Sequence, residues 1–160
     1  MSALELSLRP ARPGDEPFLL SLFTEIKMAE FGGLPLSPQQ LEQLMRMQFE
    51  SRNQSYHARY PAADQAIVMD GEVPIGLLWV QRSADSIHLM DISIVAARRN
   101  QGIGRRLLQA LVAEATAARL PLRCHVACSN QGSLRFHQRL GFEVAATDGV
   151  YFELEFISRF

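Results

Sequence analysis

The chain has 160 residues, of which 48% are hydrophobic and 21% are charged. Because this size and composition are ordinary for a soluble globular protein, we expect one domain over residues 1–160. The formal net charge of −1 argues against nucleic acid as the main partner, since binding to a phosphate backbone favours a strongly basic protein. The sequence shows no bilayer-spanning apolar run and no secretory signal, so we expect a cytoplasmic protein without a membrane partner.

Hydrophobic periodicity and turn residues predict seven strands and four helices. The strands are predicted at Leu4–Arg9, Gln65–Met69, Val73–Gln81, Ser86–Val95, Leu122–Ala127, Phe142–Thr147 and Val150–Phe156. Asp15 is the predicted N-cap of the first helix and Ser37 that of the second, and the others cover Gly102–Arg119 and Gln131–Leu140. Asp148 and Gly149 predict a tight turn between the last two strands. The segment Arg52–Pro61 lacks periodicity, and we interpret it as the end of the second helix and a loop. This order predicts a mixed α/β sheet flanked by helices.

The most informative segment joins the fourth strand to the third helix. Its sequence is Arg99-Asn100-Gln101-Gly102-Ile103-Gly104-Arg105. A helix N-terminus carries unpaired N–H groups and a partial positive charge, and glycines let an anion approach closely. Arg99 and Arg105 add guanidinium groups that suit phosphate. The pattern predicts a pyrophosphate site, although it is neither a P-loop nor a dinucleotide fingerprint, because Leu107 stands where the third glycine would fall.

The same segment resembles the acyl-CoA loop of the GNAT superfamily of N-acetyltransferases, Arg/Gln-x-x-Gly-x-Gly/Ala, through Arg99, Gly102 and Gly104. The segment Asn130–Phe142 resembles a second pattern of that family, Asn-x-x-Ala-x-x-Phe-Tyr-x-Lys-x-Gly-Phe, with Ser133 at the small position. Two motifs in the right order on the expected elements are more specific than either alone. The resemblance implies a mixed, mostly antiparallel GNAT-like sheet in the order β-α-α-β-β-β-α-β-α-β-β.

The resemblance also implies that acetyl-CoA is the acyl donor and that its coenzyme A part contacts both motifs. The residues that match the family's cofactor contacts are Ile94, Val95, Arg99, Asn100, Gln101, Gly102, Ile103, Gly104, Arg105, Asn130, Ser133 and Phe136. In the family, main-chain N–H groups at the end of the fourth strand hold the thioester carbonyl, and the matching segment is Ser93–Val95. Asn130 is equally suited to cap the fourth helix, and one side chain can do both.

Direct acetyl transfer to an amine requires groups that move protons. His137 stands where the family commonly has a tyrosine that protonates the leaving thiolate, and its unperturbed pKa of about 6.5 suits that role. The alternatives are a simple contact with the cofactor, or water as the proton source. Asp91 is the candidate base in an otherwise apolar strand, or else a carboxylate bonded to a neighbouring loop. His88 faces the other side of that strand, and Glu153 and Glu155 are weaker candidates.

The acceptor is less well defined by the sequence. Tyr56 and Tyr60 lie in the polar segment after the second helix and are the candidate substrate-binding residues. Aromatic residues with a near-neutral net charge favour a small-molecule amine. The alternatives are a protein N-terminal or lysine amine, and a non-catalytic domain that senses acyl-CoA or binds a partner; a homodimer is left open. Cys124 and Cys128 flank His125 but offer too few ligands, so we expect reduced thiols and no metal.

Overall fold

The computed structural model describes residues 3–31 and 33–158, and only the main chain of Glu30 and Phe31. Within this part of the chain there are seven strands: β1 (Leu6–Pro10), β2 (Asp64–Asp70), β3 (Val73–Arg82), β4 (Ile87–Ile94), β5 (Leu122–Ala127), β6 (Glu143–Thr147) and β7 (Tyr151–Phe156). The four helices are α1 (Glu16–Phe31), α2 (Pro38–Arg59), α3 (Ile103–Ala118) and α4 (Gln131–Arg139). The predicted order of elements is confirmed.

The strands form one sheet in the order β1-β2-β3-β4-β5-β7-β6. β4 and β5 are parallel, because α3 connects them, whereas the pairs β1–β2, β5–β7 and β6–β7 are antiparallel. The predicted mixed, mostly antiparallel sheet is therefore confirmed. The chain up to Leu78, with Ser93–Gln101, forms one compact unit, and Trp79–Ile92, with the chain from Gly102 onward, forms a second.

In the first unit, aromatic contacts hold α1 against α2. The rings of Phe23 and Phe49 meet edge to face at 5.7 Å between centroids, and the Arg52 guanidinium lies 4.8 Å from the first ring and 5.5 Å from the second. From its sequence, the segment Arg52–Pro61 is interpreted as the end of the second helix and a loop. Its residues Arg52–Arg59 are helical, so the loop part of the interpretation holds only for Tyr60 and Pro61, which follow the helix end.

The start of α2 agrees with the predicted cap. Ser37 Oγ accepts a hydrogen bond from the Gln40 main chain at 3.1 Å, and the Gln40 side chain accepts one from the Ser37 N–H at 2.9 Å. This reciprocal pair satisfies donors that the first helical turn leaves open, and Pro38 takes the first position, where no N–H is needed.

Asp15 precedes α1 in a 3₁₀ turn over Pro13–Asp15 and makes contacts other than the expected helix cap. Its carboxylate accepts two hydrogen bonds from the Arg9 guanidinium, at 2.7 and 2.8 Å, and one from the Arg12 N–H at 2.8 Å. The Arg9 hydrogen bonds, followed by the Arg12 one, lower the pKa of Asp15 to about 2. The carboxylate thus ties β1 to the entrance of α1.

In the second unit, α3 supplies much of the apolar core. Five of the six side chains expected on its buried face are buried, whereas Val112 is half-buried. The five are Ile103, Leu107, Leu108, Leu111 and Ala115. Arg119 ends the helix in the left-handed conformation, with φ of 57°, and the Leu120 N–H returns to the Ala115 carbonyl at 2.9 Å. The chain can then enter β5 directly.

The predicted turn at Asp148 and Gly149 joins β6 to β7. Gly149 has φ of 88°, and Asp148 Oδ1 accepts hydrogen bonds from the N–H groups of Tyr151 and Val150 at 2.7 and 2.8 Å. These two bonds lower the pKa of Asp148. The Asp-Gly pair therefore stabilises the hairpin through both its side chain and its main chain.

Replacing Asp15 tests the tie between β1 and α1. At neutral pH, Asp15→Asn should lower the free energy of unfolding by about 1 kcal/mol, because hydrogen bonds to a charged and partly exposed group are lost. A carboxyl pKa near 2 means that this stabilisation is complete above the unfolded value of about 4 and disappears as the pH falls towards 2. Urea unfolding from pH 2 to 7 should show the two proteins converging in acid.

The control is Asp85→Asn, in an exposed turn after β3. It should follow the wild-type protein over the whole pH range. A constant difference between Asp15→Asn and wild type down to pH 2 would contradict the assigned ion pair.

Candidate functional site

The chain turns sharply between β4 and α3. A 3₁₀ turn over Ala96–Arg98 follows the strand, and Asn100 and Gly102 then take the left-handed conformation, with φ of 60° and 77°. Asparagine and glycine adopt this conformation most readily. Gly102 is the N-cap residue that immediately precedes α3, and it has no side chain to cap the N–H groups of the first turn. The helix therefore opens on main-chain donors rather than on a capping side chain at this position.

Gly104 lies in the first turn of α3, at a place where the fold does not require glycine. A Cβ atom there would lie 3.9 Å from the Phe136 ring, which is an ordinary van der Waals contact, and the backbone is not left-handed. Glycine inside a helix costs about 1 kcal/mol relative to alanine. Packing and backbone conformation leave the residue unexplained, whereas close approach of a ligand would explain it.

Two acidic side chains hold the β4–α3 loop within the first unit. Arg98 forms an ion pair with Asp70 at the end of β2, and this hydrogen bond is the largest cause of the lowered pKa of Asp70. Glu25 in α1 accepts a hydrogen bond from the Ala96 N–H through Oε1. Sequence analysis missed both acids, because the contacts join residues 28 and 71 positions apart.

The two arginines predicted to contact phosphate are exposed. Arg99 donates from Nε to the Ile94 carbonyl at 3.2 Å, and its guanidinium also lies 3.9 Å from Glu25. Arg105 projects from the first turn of α3 and is exposed as well. Both guanidinium groups are therefore accessible from solvent at the start of the helix.

Gly76 on β3 has no side chain, and this allows the end of β4 to approach β3 closely. A Cβ atom on Gly76 would lie only 2.4 Å from the Ser93 carbonyl oxygen and 2.8 Å from the Ile94 side chain. The Val95 N–H donates to the Ile75 carbonyl at 2.9 Å. Because that donor is already used within the first unit, a carbonyl-binding N–H in the predicted segment has to come from a residue other than Val95.

The second motif begins α4. Asn130 Oδ1 accepts a hydrogen bond from the Ser133 N–H at 3.1 Å, so the predicted capping role is confirmed. Phe136 is half-buried, and its ring faces Gly104. Within the second unit the structure therefore brings the start of α3 and the face of α4 together. Contacts of Asn130, Ser133 and Phe136 with a cofactor stay predictions.

His137 is almost fully buried in α4, with 5% of its surface exposed. Its ring lies edge to face with Phe136 and Phe142, at 5.4 and 5.3 Å between centroids, and Nδ1 lies 2.8 Å from the Ser133 carbonyl oxygen. A carbonyl only accepts, so in the neutral ring we assign the proton to Nδ1. Burial lowers the pKa of His137 more than this hydrogen bond raises it. The ring is therefore neutral at neutral pH.

The candidate base Asp91 lies on β4 and is half-buried, with an interaction partner of its own. It follows Ile87 and Leu89 at intervals of two, on the face of β4 that is buried at those two positions. His88 lies on the opposite face, and its ring meets that of His125 at 5.5 Å. Asp91 and His88 therefore do not act on the same side of the strand.

The remaining candidates lie elsewhere. Glu155 on β7 accepts a hydrogen bond from Arg123 Nε at 2.9 Å, and Glu153 pairs across the strands with His125. Tyr56 lies in the last turns of α2, and the Tyr60 N–H ends the helix by donating to the Tyr56 carbonyl at 2.8 Å. Both tyrosines are half-buried and have further partners. Substrate binding by them stays a prediction.

An open groove of about 540 Å³ runs between α1 and α2 in the first unit. Its floor includes Pro17 and Leu20, whereas its charged lining consists of Glu16, Glu25, Glu42 and Arg46. Three carboxylates against one guanidinium give this groove a negative character. Glu25 is shared by the groove and the β4–α3 loop.

Neither a membrane helix nor a metal cluster is found in residues 3–31 and 33–158. No helix there is long and apolar enough to cross a membrane, and no group of three or more His, Cys, Asp or Glu side chains could hold a metal ion. Cys124 and Cys128 are free thiols. Burial raises the pKa of Cys124 to about 12, whereas Cys128 is half-buried, with its sulfur 3.7 Å from Thr147 Oγ1.

Comparison with known proteins identifies the family. Residues 23–142, three quarters of the chain, match the model of the acetyltransferase (GNAT) family. The chain therefore belongs to the GNAT family of acetyltransferases, and the resemblance seen in the two motifs is confirmed.

Solved structures share the fold over nearly the whole chain. One is the PaiA N-acetyltransferase of Thermoplasma acidophilum in complex with coenzyme A, with 19% identity, 97% of this chain and 100% of the other covered, and a TM-score of 0.73. Another is a spermidine N-acetyltransferase SpeG chimera from Vibrio cholerae and hSSAT, with 20% identity, coverage of 96% and 95%, and a TM-score of 0.63.

A third is a GNAT family acetyltransferase from Elizabethkingia anophelis with acetyl-CoA bound, with 16% identity, coverage of 96% and 98%, and a TM-score of 0.63. At these identities the likeness establishes the fold. Two of these three structures contain coenzyme A or acetyl-CoA, in agreement with the cofactor that the sequence predicts.

The close approach at Gly76 can be tested by adding one methyl group. Gly76→Ala should lower the free energy of unfolding by about 1–3 kcal/mol, because the new atom meets main chain that cannot rotate away. Gly14→Ala is the control, since nothing lies within 4 Å of a Cβ atom there. Denaturant unfolding should leave the control within about 0.5 kcal/mol of wild type, and equal stability of Gly76→Ala would contradict the described contact.

Proposed function

We propose that this chain transfers the acetyl group of acetyl-CoA directly to the amine of a small molecule. The observation that carries the proposal is the start of α3, where Gly102 is left-handed and Gly104 is a glycine that the fold does not require. Both residues coincide with the family's diphosphate motif. The family assignment supplies the reaction class, and the local backbone supports the cofactor.

The diphosphate of coenzyme A would be held by the first N–H groups of α3, together with Arg99 and Arg105. The partial positive charge of the helix start favours an anion, and the two guanidinium groups are exposed on either side of the glycines. The Ile103 side chain is buried, with 2% exposure, so its contribution would be its main-chain N–H. Asn100 and Gln101 complete the loop and are proposed as further contacts.

We propose that the pantetheine arm contacts residues of both motifs. In the first unit the proposed contacts are Ile94 and Val95, at and just after the end of β4. In the second unit they are Phe136, whose ring lies 3.9 Å from a Cβ atom placed on Gly104, and Ser133, one turn before His137. Asn130 would contact the arm in addition to capping its helix, as its second hydrogen-bonding group permits.

In the proposed reaction, the amine nitrogen forms a bond to the thioester carbon and the carbon–sulfur bond breaks. Acetyl-CoA supplies the activated acyl group. The acceptor nitrogen starts as an ammonium ion and loses two protons, one before the attack and one as the amide forms. The departing thiolate gains one proton and the other is released to solvent, so the enzyme needs a proton acceptor and a proton source. We propose Asp91 as the acceptor, acting directly or through water. His137 could deliver a proton only as an imidazolium, from Nε2, because its Nδ1–H is held by Ser133.

The negative groove between α1 and α2 supports a cationic acceptor. Alkylamines are ammonium ions at neutral pH, and three carboxylates line the groove. A spermidine N-acetyltransferase is among the proteins of similar fold. We propose Tyr56 and Tyr60 as further acceptor contacts. A protein amine is the alternative acceptor, and a domain that binds acyl-CoA without turnover is the alternative to an enzyme.

Two measurements separate these alternatives. Calorimetry with coenzyme A tests the donor site, and release of free thiol from acetyl-CoA in the presence of amines tests turnover. A panel of small polyamines, amino-acid amides and peptides should give thiol release with small amines in preference to peptides. Binding of coenzyme A without thiol release for any of the amines would favour the sensing domain. If the protein did not bind coenzyme A even at millimolar concentration, the proposal would be wrong.

Gly104→Ala should separate stability from binding. The variant should raise the free energy of unfolding by about 0.5–1 kcal/mol, because alanine favours a helix. It should also weaken coenzyme A binding by about tenfold or more, because its methyl group would occupy the space proposed for the diphosphate. Gly104→Glu, which adds a negative charge as well, should abolish binding while the protein stays folded. Thermal unfolding and calorimetry measure both effects.

Gly14→Ala is the control for this prediction. Gly14 lies in the 3₁₀ turn over Pro13–Asp15, far from both motifs in the sequence, and nothing lies within 4 Å of a Cβ atom there. The control should stay within about 0.5 kcal/mol of wild type and keep the wild-type affinity for coenzyme A. If Gly104→Ala also kept that affinity, the proposed position of the diphosphate would be wrong.

The proposed acid role of His137 makes a prediction about pH. Its imidazolium form decreases as pH rises, and burial holds its pKa below the usual value of about 6.5. If His137 protonates the thiolate, kcat should fall on the alkaline side of that lowered pKa. His137→Asn keeps an N–H donor for the Ser133 carbonyl but does not titrate. In both this variant and His137→Phe, kcat should then no longer decrease over that pH range. An unchanged rate and profile in both variants would assign the proton to water.

A further inference from the structure

Glu25 stands at an unusual place in the first unit. It lies on α1, which is fixed in the core by Leu22 and Phe23, with 3% and 6% exposure. The contacts of its carboxylate lie on the β4–α3 loop, 71 residues further along the chain. A side chain on a rigid helix can hold a loop in place if it bonds to the main chain of that loop.

The main contact of Glu25 is with main chain. Its Oε1 accepts a hydrogen bond from the N–H of Ala96, the first residue of the 3₁₀ turn. A hydrogen bond from an N–H to a charged carboxylate is stronger than one between neutral groups. The second contact, with the Arg99 guanidinium at 3.9 Å, joins two side chains that are 42% and 47% exposed. Solvent weakens such an exposed ion pair, so the main-chain bond is the stronger of the two.

The loop that Glu25 contacts includes a residue in an unfavourable backbone conformation. Asn100 is left-handed, a state that non-glycine residues adopt at a cost. The Arg98–Asp70 ion pair fixes the loop by a side chain, whereas Glu25 fixes its main chain at Ala96. With both in place, fewer loop conformations compete with the described one, in which Arg99 is exposed to solvent.

We propose that Glu25 is a positioning residue for the β4–α3 loop. By bonding to the Ala96 N–H it holds the part of the loop in the first unit, from Ala96 to Gln101, in the conformation that binds the diphosphate. This inference rests on the proposed function, since it assigns Glu25 a part in coenzyme A binding. Glu25 itself contacts the loop and not the cofactor.

The test uses three variants of the full chain. Glu25→Gln keeps an oxygen acceptor for Ala96 but removes the charge beside Arg99. Glu25→Ala removes both contacts. Glu114→Ala is the control, because Glu114 also pairs with an arginine, Arg82, and has a similar exposure of 40%, but it lies on α3 away from its first turn. The measurements are the Kd of coenzyme A by calorimetry and the hydrogen-exchange rate of the Ala96 amide.

Glu25→Ala should raise the Kd of coenzyme A by about tenfold, the effect of losing one hydrogen bond to a charged group, and should speed exchange at Ala96. Glu25→Gln should recover most of the affinity and of the protection. The control should match wild type in both. A role confined to global stability would not give this rescue together with protection localised to Ala96.

Three outcomes would overturn the inference while leaving the proposed function standing. These are a Kd in Glu25→Ala equal to that of wild type, a tighter Kd, which would mean that Glu25 competes with the diphosphate for Arg99, or equal weakening by Ala and Gln. Failure of the proposed function looks different, because wild-type protein itself would not bind coenzyme A. In that case the exchange at Ala96 would still report whether Glu25 holds the loop.

Discussion

The close approach of the β3 and β4 main chains at Gly76 is the constraint on which the β4–α3 loop depends. There is no room for a Cβ atom between β3 and the Ser93 carbonyl, so β4 reaches its end along a path that a larger residue would block. The loop then starts from a fixed point and is held again at Ala96 and Arg98. Only after these contacts does the chain enter the left-handed residues that begin α3. The loop is thus held at three points within the first unit, before α3 begins.

The β4–α3 loop carries several arginines, although the net charge of the whole chain is close to zero. Arg98 is neutralised by Asp70 and is structural, whereas Arg99 and Arg105 remain accessible. A protein with a formal charge of −1 can therefore present a local positive site at a helix start, where the main-chain N–H groups add to the effect. The acidic groove between α1 and α2 has the opposite character.

Local signals predicted most of the architecture. Ser37, the Asp148–Gly149 turn and the apolar face of α3 act through neighbours in the sequence, and each behaves as expected. The last turns of α2 were not recognised because the segment Arg52–Arg59 is polar and lacks periodicity. Arg52 lies over the rings of Phe23 and Phe49, and the first of these is on another helix, so this contact is not visible in the local sequence.

The parts of the site that sequence analysis missed also depend on distant contacts. Glu25 and Gly76 resemble an ordinary surface acid and an ordinary strand glycine until their neighbours are known. His137 was recognised by its motif, but its burial follows from Phe142, which comes after the helix has ended. A sequence motif therefore shows where a residue such as His137 lies in the fold, but not how deeply it is buried. Burial is what lowers the pKa of His137.

The two cysteines differ in a way that has a practical consequence. With a pKa raised to about 12 by burial, Cys124 stays protonated and out of reach of alkylating reagents. Cys128, at the end of β5, is partly open to solvent. A maleimide fluorophore or spin label would thus attach at a single position, two residues before the Asn130 cap, and wild-type protein could carry a spectroscopic probe beside α4 without any engineered site.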